Sequence, residues 1–169
     1  MTAARQERKS RRAIVATVAG ALALAAGLGL ATTAIRAATT EMVVVNRYTG
    51  LAIDGFDPVA YFIDAAPKPG RVELELRFAG ATWRFHNEGN RAAFAADPVV
   101  YAPRFGGHDP MALARGAATA GHSELWLIAD KRLYLFYSAG AREAFARDPD
   151  SAIEAAERHW PEVQRTLSQ

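Results

Sequence analysis

No cysteine occurs anywhere in the 169 residues. Disulfides and thiolate metal sites are therefore excluded, whatever the compartment. Local catalytic and phosphate-binding patterns are missing too. The serines, Ser10, Ser123, Ser138, Ser151 and Ser168, include no G-x-S-x-G elbow, and no glycine-rich phosphate loop is present. The histidines, His86, His108, His122 and His159, contain no i,i+4 pair, so a metal site would have to be assembled by the fold. A basic surplus is also absent where it would matter. The net charge of +2 is unevenly placed, because Arg5, Arg8, Lys9, Arg11 and Arg12 face only Glu7 within residues 1–12. Of 20 Lys and Arg, removing those five and Arg36 leaves 14 beyond Ala37; of 18 Asp and Glu, removing Glu7 leaves 17. A globular part at −3 lacks the positive surface that holds nucleic-acid phosphates, and nucleic acid is discarded as a partner.

What the chain does have begins with "AIVATVAGALALAAGLGLATTAI", residues 13–35, which carry no charge. At helical rise this length crosses the hydrocarbon layer of a bilayer. The basic flank of residues 1–12 predicts a cytoplasmic N-terminus, with the rest of the chain on the far side. Three readings stay open: an uncleaved anchor, a cleaved Sec signal, and a twin-arginine export signal suggested by "SRRAIV", residues 10–15. The length favours the anchor, and Ile35-Arg36-Ala37 makes a poor cleavage site. All three place the domain outside the cytoplasm. The expectation is a single-pass protein of a bacterial inner membrane, held through Ala13–Ile35, with a tether over 36–47 and a domain over 48–161. Residues 162–169 read as a tail.

Within that domain the sequence repeats itself. Gly55-Phe56-Asp57-Pro58-Val59-Ala60 is answered by Gly107-His108-Asp109-Pro110-Met111-Ala112, and "FHNEGNRAAFAADP", 85–98, by "FYSAGAREAFARDP", 136–149. Eight of the fourteen positions in the second pair are identical, which argues for duplication, with units at about 55–98 and 107–149. Each unit opens on Gly-x-Asp-Pro turn chemistry. Alternating apolar and charged residues in "VELELRF", 72–78, then "TWRF", 82–85, predict a β-hairpin around Ala79-Gly80-Ala81. "ELWLIA" and "RLYLFY" predict its counterpart around Asp130-Lys131. Asn87 and Ser138 stand at helix N-caps, and Phe94 and Phe145 on the buried sides of the helices that follow. Asp-Pro ends the first helix; the second continues through "SAIEAAERHW" to Pro161. One hairpin and helix cannot bury its apolar face alone, so the two units are expected to pack as a single α+β domain with largely antiparallel sheet.

The stretches "GLAIDGFDPVAYF", "GATWRFHNEGNRAAFAADPVVYAPRFGG" and "RLYLFYSAGAREAFARDP" resemble the YHS domain family in its exported bacterial form. The resemblance covers nearly all of residues 48–161. It implies a small module associated with metals or ligands, without a defined reaction. The family's motif positions fall on Phe85-His86-Asn87 and Phe136-Tyr137-Ser138. Many exported relatives carry a Cys where this chain has Gly106-Gly107-His108-Asp109, so no thiolate-dependent role carries over.

The remaining side chains define the candidate sites. His108 beside Asp109 is the best metal pair, suited to a divalent or transition metal ion, since a carboxylate orients an imidazole. The alternative is that Asp109 only holds its turn. Asp57 and Asp109 read as turn residues ahead of Pro rather than as an acid and base, and no catalytic residue is assigned. Tyr61 and Phe62 have only Leu113 and Ala114 as counterparts, an asymmetry that either fills one core or opens space at the junction. If a cleft exists there, Tyr61, Trp83, His86 and His108 should line it. Three functions follow: an exported binding module for a metal ion or small ligand; an interaction module of an envelope protein complex; and, last, a hydrolase or redox enzyme.

Overall fold

The computed structural model describes residues 42–168; the charge-free stretch 13–35 and its basic flank lie outside the described residues. The architecture is α+β. It contains two antiparallel hairpins, β1 (Arg71–Phe78) with β2 (Ala81–Phe85), and β3 (His122–Ala129) with β4 (Arg132–Phe136). The described helices are α1 (Ala60–Ile63), α2 (Glu88–Ala96), α3 (Pro98–Tyr101), α4 (Pro110–Leu113), α5 (Ala139–Arg147) and α6 (Pro149–Leu167). The hairpins remain two separate two-stranded sheets rather than one continuous antiparallel sheet.

Local chemistry sets each turn. Ala79 and Gly80 have φ of 50° and 80°, and Asp130 and Lys131 have 45° and 58°. Two consecutive left-handed residues twist in the same sense as the strands they join, which favours a two-residue hairpin loop. Ala81 consequently lies in β2, paired with Phe78, rather than in the turn. The register breaks at the same place in both hairpins, between Arg71 and Glu75 in β1 and between His122 and Trp126 in β3. That break ends the simple alternation expected over 72–78: Leu74 is buried, but Val72 turns outward and is 60% exposed.

The helices start as their sequences dictate. The Asn87 side chain accepts from the Asn90 amide at 2.8 Å, and that of Ser138 from the Ala141 amide at 3.2 Å. These caps satisfy a donor that the first turn leaves without a partner. Phe94 and Phe145 are fully buried in the two cores. Strand β4 separates those cores. Leu133 and Leu135 join the first, with Trp83, Phe85 and Phe94, whereas Tyr134 and Phe136 join the second, with Phe145, Leu113, Ala156 and Val163. A strand buried on both faces reads as the near-continuous apolar run "LYLF".

Two boundaries differ from expectation. Pro161 lies inside α6, which continues to Leu167, with Val163 in the second core. Proline removes one helix hydrogen bond, but Trp160 and Val163 pack on either side of it in sequence and hold the helix together. The tail is thus helical through Leu167. At the other end the folded part starts before Tyr48. Val43 is buried in the first core, and Val44 N donates to Gly106 O at 2.8 Å.

Gly70 and Gly121 begin the hairpins under the same constraint. A Cβ on Gly121 would stand 2.6 Å from Leu135 Cβ and 2.7 Å from its carbonyl carbon; on Gly70 it would stand 2.4 Å from Arg84 Cβ. Gly121→Ala should destabilise the fold by about 1–3 kcal/mol through overpacking. Gly140→Ala, in helix α5 with nothing within 4 Å, should be neutral or stabilising by up to about 1 kcal/mol. Urea denaturation of the two variants checks this contrast.

Candidate functional site

The repeated Gly-x-Asp-Pro turn is more than a local bend. Asp57 is fully buried. Its Oδ1 accepts from Val59 N at 2.8 Å, and its Oδ2 from His86 N at 2.8 Å and Asn90 Nδ2 at 2.6 Å. Asp109 repeats the arrangement: Oδ1 accepts from Met111 N at 2.7 Å and Ala112 N at 3.3 Å, and Oδ2 from Tyr137 N at 2.9 Å. The backbone amides of the two aspartates donate to Lys68 O and Thr119 O, each at 2.8 Å. One carboxylate therefore ties the turn to the strand end and to the start of the helix. In the first copy the buried Asn90 adds a side-chain donor; its counterpart Ala141 has none.

This geometry decides what Asp109 can do. Each of its oxygens takes an amide hydrogen, so the carboxylate holds the turn and the strand end together. His108 packs its ring against Trp160 of α6, centroids 5.8 Å apart, and is 7% exposed. It occupies the position of Phe56 in the first copy and serves the second core. Among the described residues no group of three or more His, Asp or Glu is arranged to hold a metal ion.

The other expected lining residues are not brought together in a cleft. Trp83 is 1% exposed, in contact with Phe94, and its indole Nε1 donates to Phe78 O at 3.0 Å. Tyr61 is also 1% exposed; its hydroxyl donates to Ser123 O at 2.8 Å and its ring meets Trp126 edge-on at 5.3 Å. Both rings are core. His86 lies at the surface, with Nδ1 3.3 Å from Pro69 O. Of the two roles its asymmetry allowed, Tyr61 fills the core, and it also bridges the two units by reaching from α1 to β3.

A different site emerges beside that bridge. An open groove of about 550 Å³ is lined by Asp54 and Phe56 from the first unit and by His122, Ser123, Glu124 and Leu125 from the second. Two irregularities build it. Ile53 and Asp54 are left-handed, with φ of 43° and 56°, which is strained for a β-branched residue. Ser123, Glu124 and Leu125 occupy the stretch of β3 where pairing with β4 is interrupted. Ser123 Oγ donates to Asp54 Oδ2 at 3.4 Å, closing the floor between the units. His122 stacks on Tyr137, centroids 5.6 Å apart, and no hydrogen bond among the described residues joins it to Ser123. The groove thus offers two carboxylates, an imidazole and two apolar side chains, without a relay that would activate the serine.

These residues escaped the sequence reading because the alternation of β3 gave no sign of where its register would break. The sharpest available clue was His122-Ser123-Glu124, three polar residues ahead of the apolar run of β3.

Burial, followed by the nearby charges of Asp54, Glu124 and Asp57, holds the Tyr61 phenol well above the usual tyrosine range. Burial raises Tyr134 as well. Below about pH 10 both phenols are protonated in folded and unfolded chains alike. Above it the unfolded chain releases protons that the folded chain retains, so stability falls as pH rises. Urea midpoints taken from about pH 8 to about pH 11 should decline, and Tyr61→Phe should flatten the decline. Asp57→Ala and Asp109→Ala should each cost about 3 kcal/mol or more, because several buried donors lose their acceptor together; chemical denaturation measures both.

No family model, curated protein or solved structure matches the chain.

Proposed function

We propose that the protein is an exported binding module of YHS type, anchored in the membrane through Ala13–Ile35, which binds a small ligand in the groove between its two repeats. The observation that carries this reading is the groove itself, lined from both units and built by a strained turn facing an interrupted strand. Backbone strain persists only where surrounding structure enforces it, and it concentrates at binding and switch sites. The charge-free stretch 13–35 with its basic flank supports the anchor, and the duplicated motifs support the family.

A small ligand fits the groove better than a bare metal ion. Asp54 already accepts from Asn46 Nδ2 at 3.2 Å and from Ser123. Phe56 and Leu125 would be idle around an ion but useful against an organic molecule.

One observation favours a second reading, an interaction module for an envelope protein. Ile63 is 64% exposed and Val99 59%, and the Phe62–Tyr101 edge contact at 5.5 Å joins the helices that carry them. Exposed apolar side chains on adjoining helices suit a protein contact.

Non-denaturing mass spectrometry of the full chain, purified in detergent from its own membrane, separates these readings. A co-purifying small molecule that is lost in Glu124→Arg supports the groove. A chain free of any added mass in wild type and variant alike, with envelope proteins released by Ile63→Glu, supports the interaction module. Stoichiometric metal, lost on His108→Ala, would overturn the groove as the binding site.

A further inference from the structure

The two copies differ most in chemistry at one set of equivalent positions away from the groove. In the first copy Ala52, Ala81 and Trp83 are buried at 0%, 1% and 1% exposure. They lie together, since Ala52 N donates to Thr82 O at 2.9 Å, between Ala81 and Trp83 in sequence. The second copy has Arg104, Arg132 and Tyr134 at these positions. The match is fixed independently by the left-handed residues that follow, Ile53-Asp54-Gly55 and Phe105-Gly106-Gly107. Two methyl groups and an indole have become two guanidinium groups and a phenol.

These three side chains lie close to one another. Arg132 and Tyr134 are two apart on β4 and so share a face. Arg104 lies over the Phe105 ring, 5.4 Å from its centroid, and that ring contacts Tyr134 at 6.2 Å. Glu157 holds one edge of Arg104 through Nη2 at 2.5 Å. Arg132 is half-buried, and its Nε is fully buried with no hydrogen-bond partner among the described residues. A buried donor without an acceptor is costly. Burial, followed by the charge of Arg104, lowers Arg132 from the usual guanidinium range, and Tyr134 and Asp97 act against that fall; burial raises Tyr134, while Arg104 and Arg132 oppose the rise. Burial thus keeps the phenol a neutral donor beside two cations.

We propose that Arg104, Arg132 and Tyr134 form a binding site for an oxyanion, the terminal nitrogens of the Arg132 guanidinium supplying the directed hydrogen bonds. A guanidinium fork matches the paired oxygens of phosphate or carboxylate, whereas an ammonium offers only a point charge. This site is independent of the groove and stands or falls without it.

Calorimetric titration of the full chain in detergent tests it, with inorganic phosphate and acetate as separate probes and ionic strength held constant with chloride. Saturable binding of one or both probes is expected, and which of them binds distinguishes a phosphate site from a carboxylate site. Arg132→Lys keeps the charge but loses the fork, and should weaken binding about tenfold. Tyr134→Phe, which preserves the ring packing, should also weaken it. No saturable binding of either probe to the wild type would overturn the proposal. So would unchanged affinity in Arg132→Lys, which would reduce the effect to diffuse positive charge. Thermal midpoints of the anion-free variants verify that each is folded.

Discussion

Two buried carboxylates organise this fold. Asp57 and Asp109 each gather amide donors from the turn they start and from the strand end leading into the following helix. Without them, those amides would be buried and without acceptors, a penalty that apolar packing nearby could not relieve. Each aspartate fixes the approach of the chain to its hairpin, with Gly70 and Gly121 pressed against β2 and β4 where no side chain fits. The hairpin then presents Phe85 or Phe136 to the helix phenylalanine, and a core forms. Turn, hairpin and helix are thus one unit of structure.

Duplicating such a unit creates a problem at the shared boundary, and β4 solves it. Its leucines complete the first core while Tyr134 and Phe136 complete the second. Neither unit can be withdrawn without exposing the other's apolar face. The repeats are therefore mutually dependent in a way that a chain of beads is not, and unfolding should be cooperative across both.

Much of this was legible beforehand. Turn, hairpin and helix follow from local signals: Asp-Pro, period-two alternation, the caps Asn87 and Ser138, and the apolar spacing around Phe94 and Phe145. The internal repeat doubled the force of each signal. The groove was not legible, because it depends on how many residues a strand skips before pairing resumes, and alternation looks the same on either side of the skip. Tyr61, Trp83 and His108 misled for a related reason. An aromatic ring has the same identity in a cleft or a core, and only its neighbours decide. Trp160 lies far from His108 in sequence, yet it decides for the core. The extent of α6 was hidden by Pro161, a strong stop signal locally that packing on both sides overrides.

The divergence of the copies answers to the same packing logic. In the second unit α6 packs on α4, with Ala152, Ala156 and Val163 meeting the small surface that Leu113 presents. The first unit has no such helix: α3 ends at Tyr101, after a single turn. Bulk must come from somewhere, and Tyr61 and Phe62 supply it, one reaching across to Ser123 and Trp126, the other resting on Tyr101. The aromatic pair is thus the first unit's substitute for a helix. Tyr61 spans the junction and ties Ser123, in the interrupted part of β3, to the first unit, next to the Ser123–Asp54 contact. Of filling one core and opening space at the junction, Tyr61 does the first, and the groove beside it is lined by other residues.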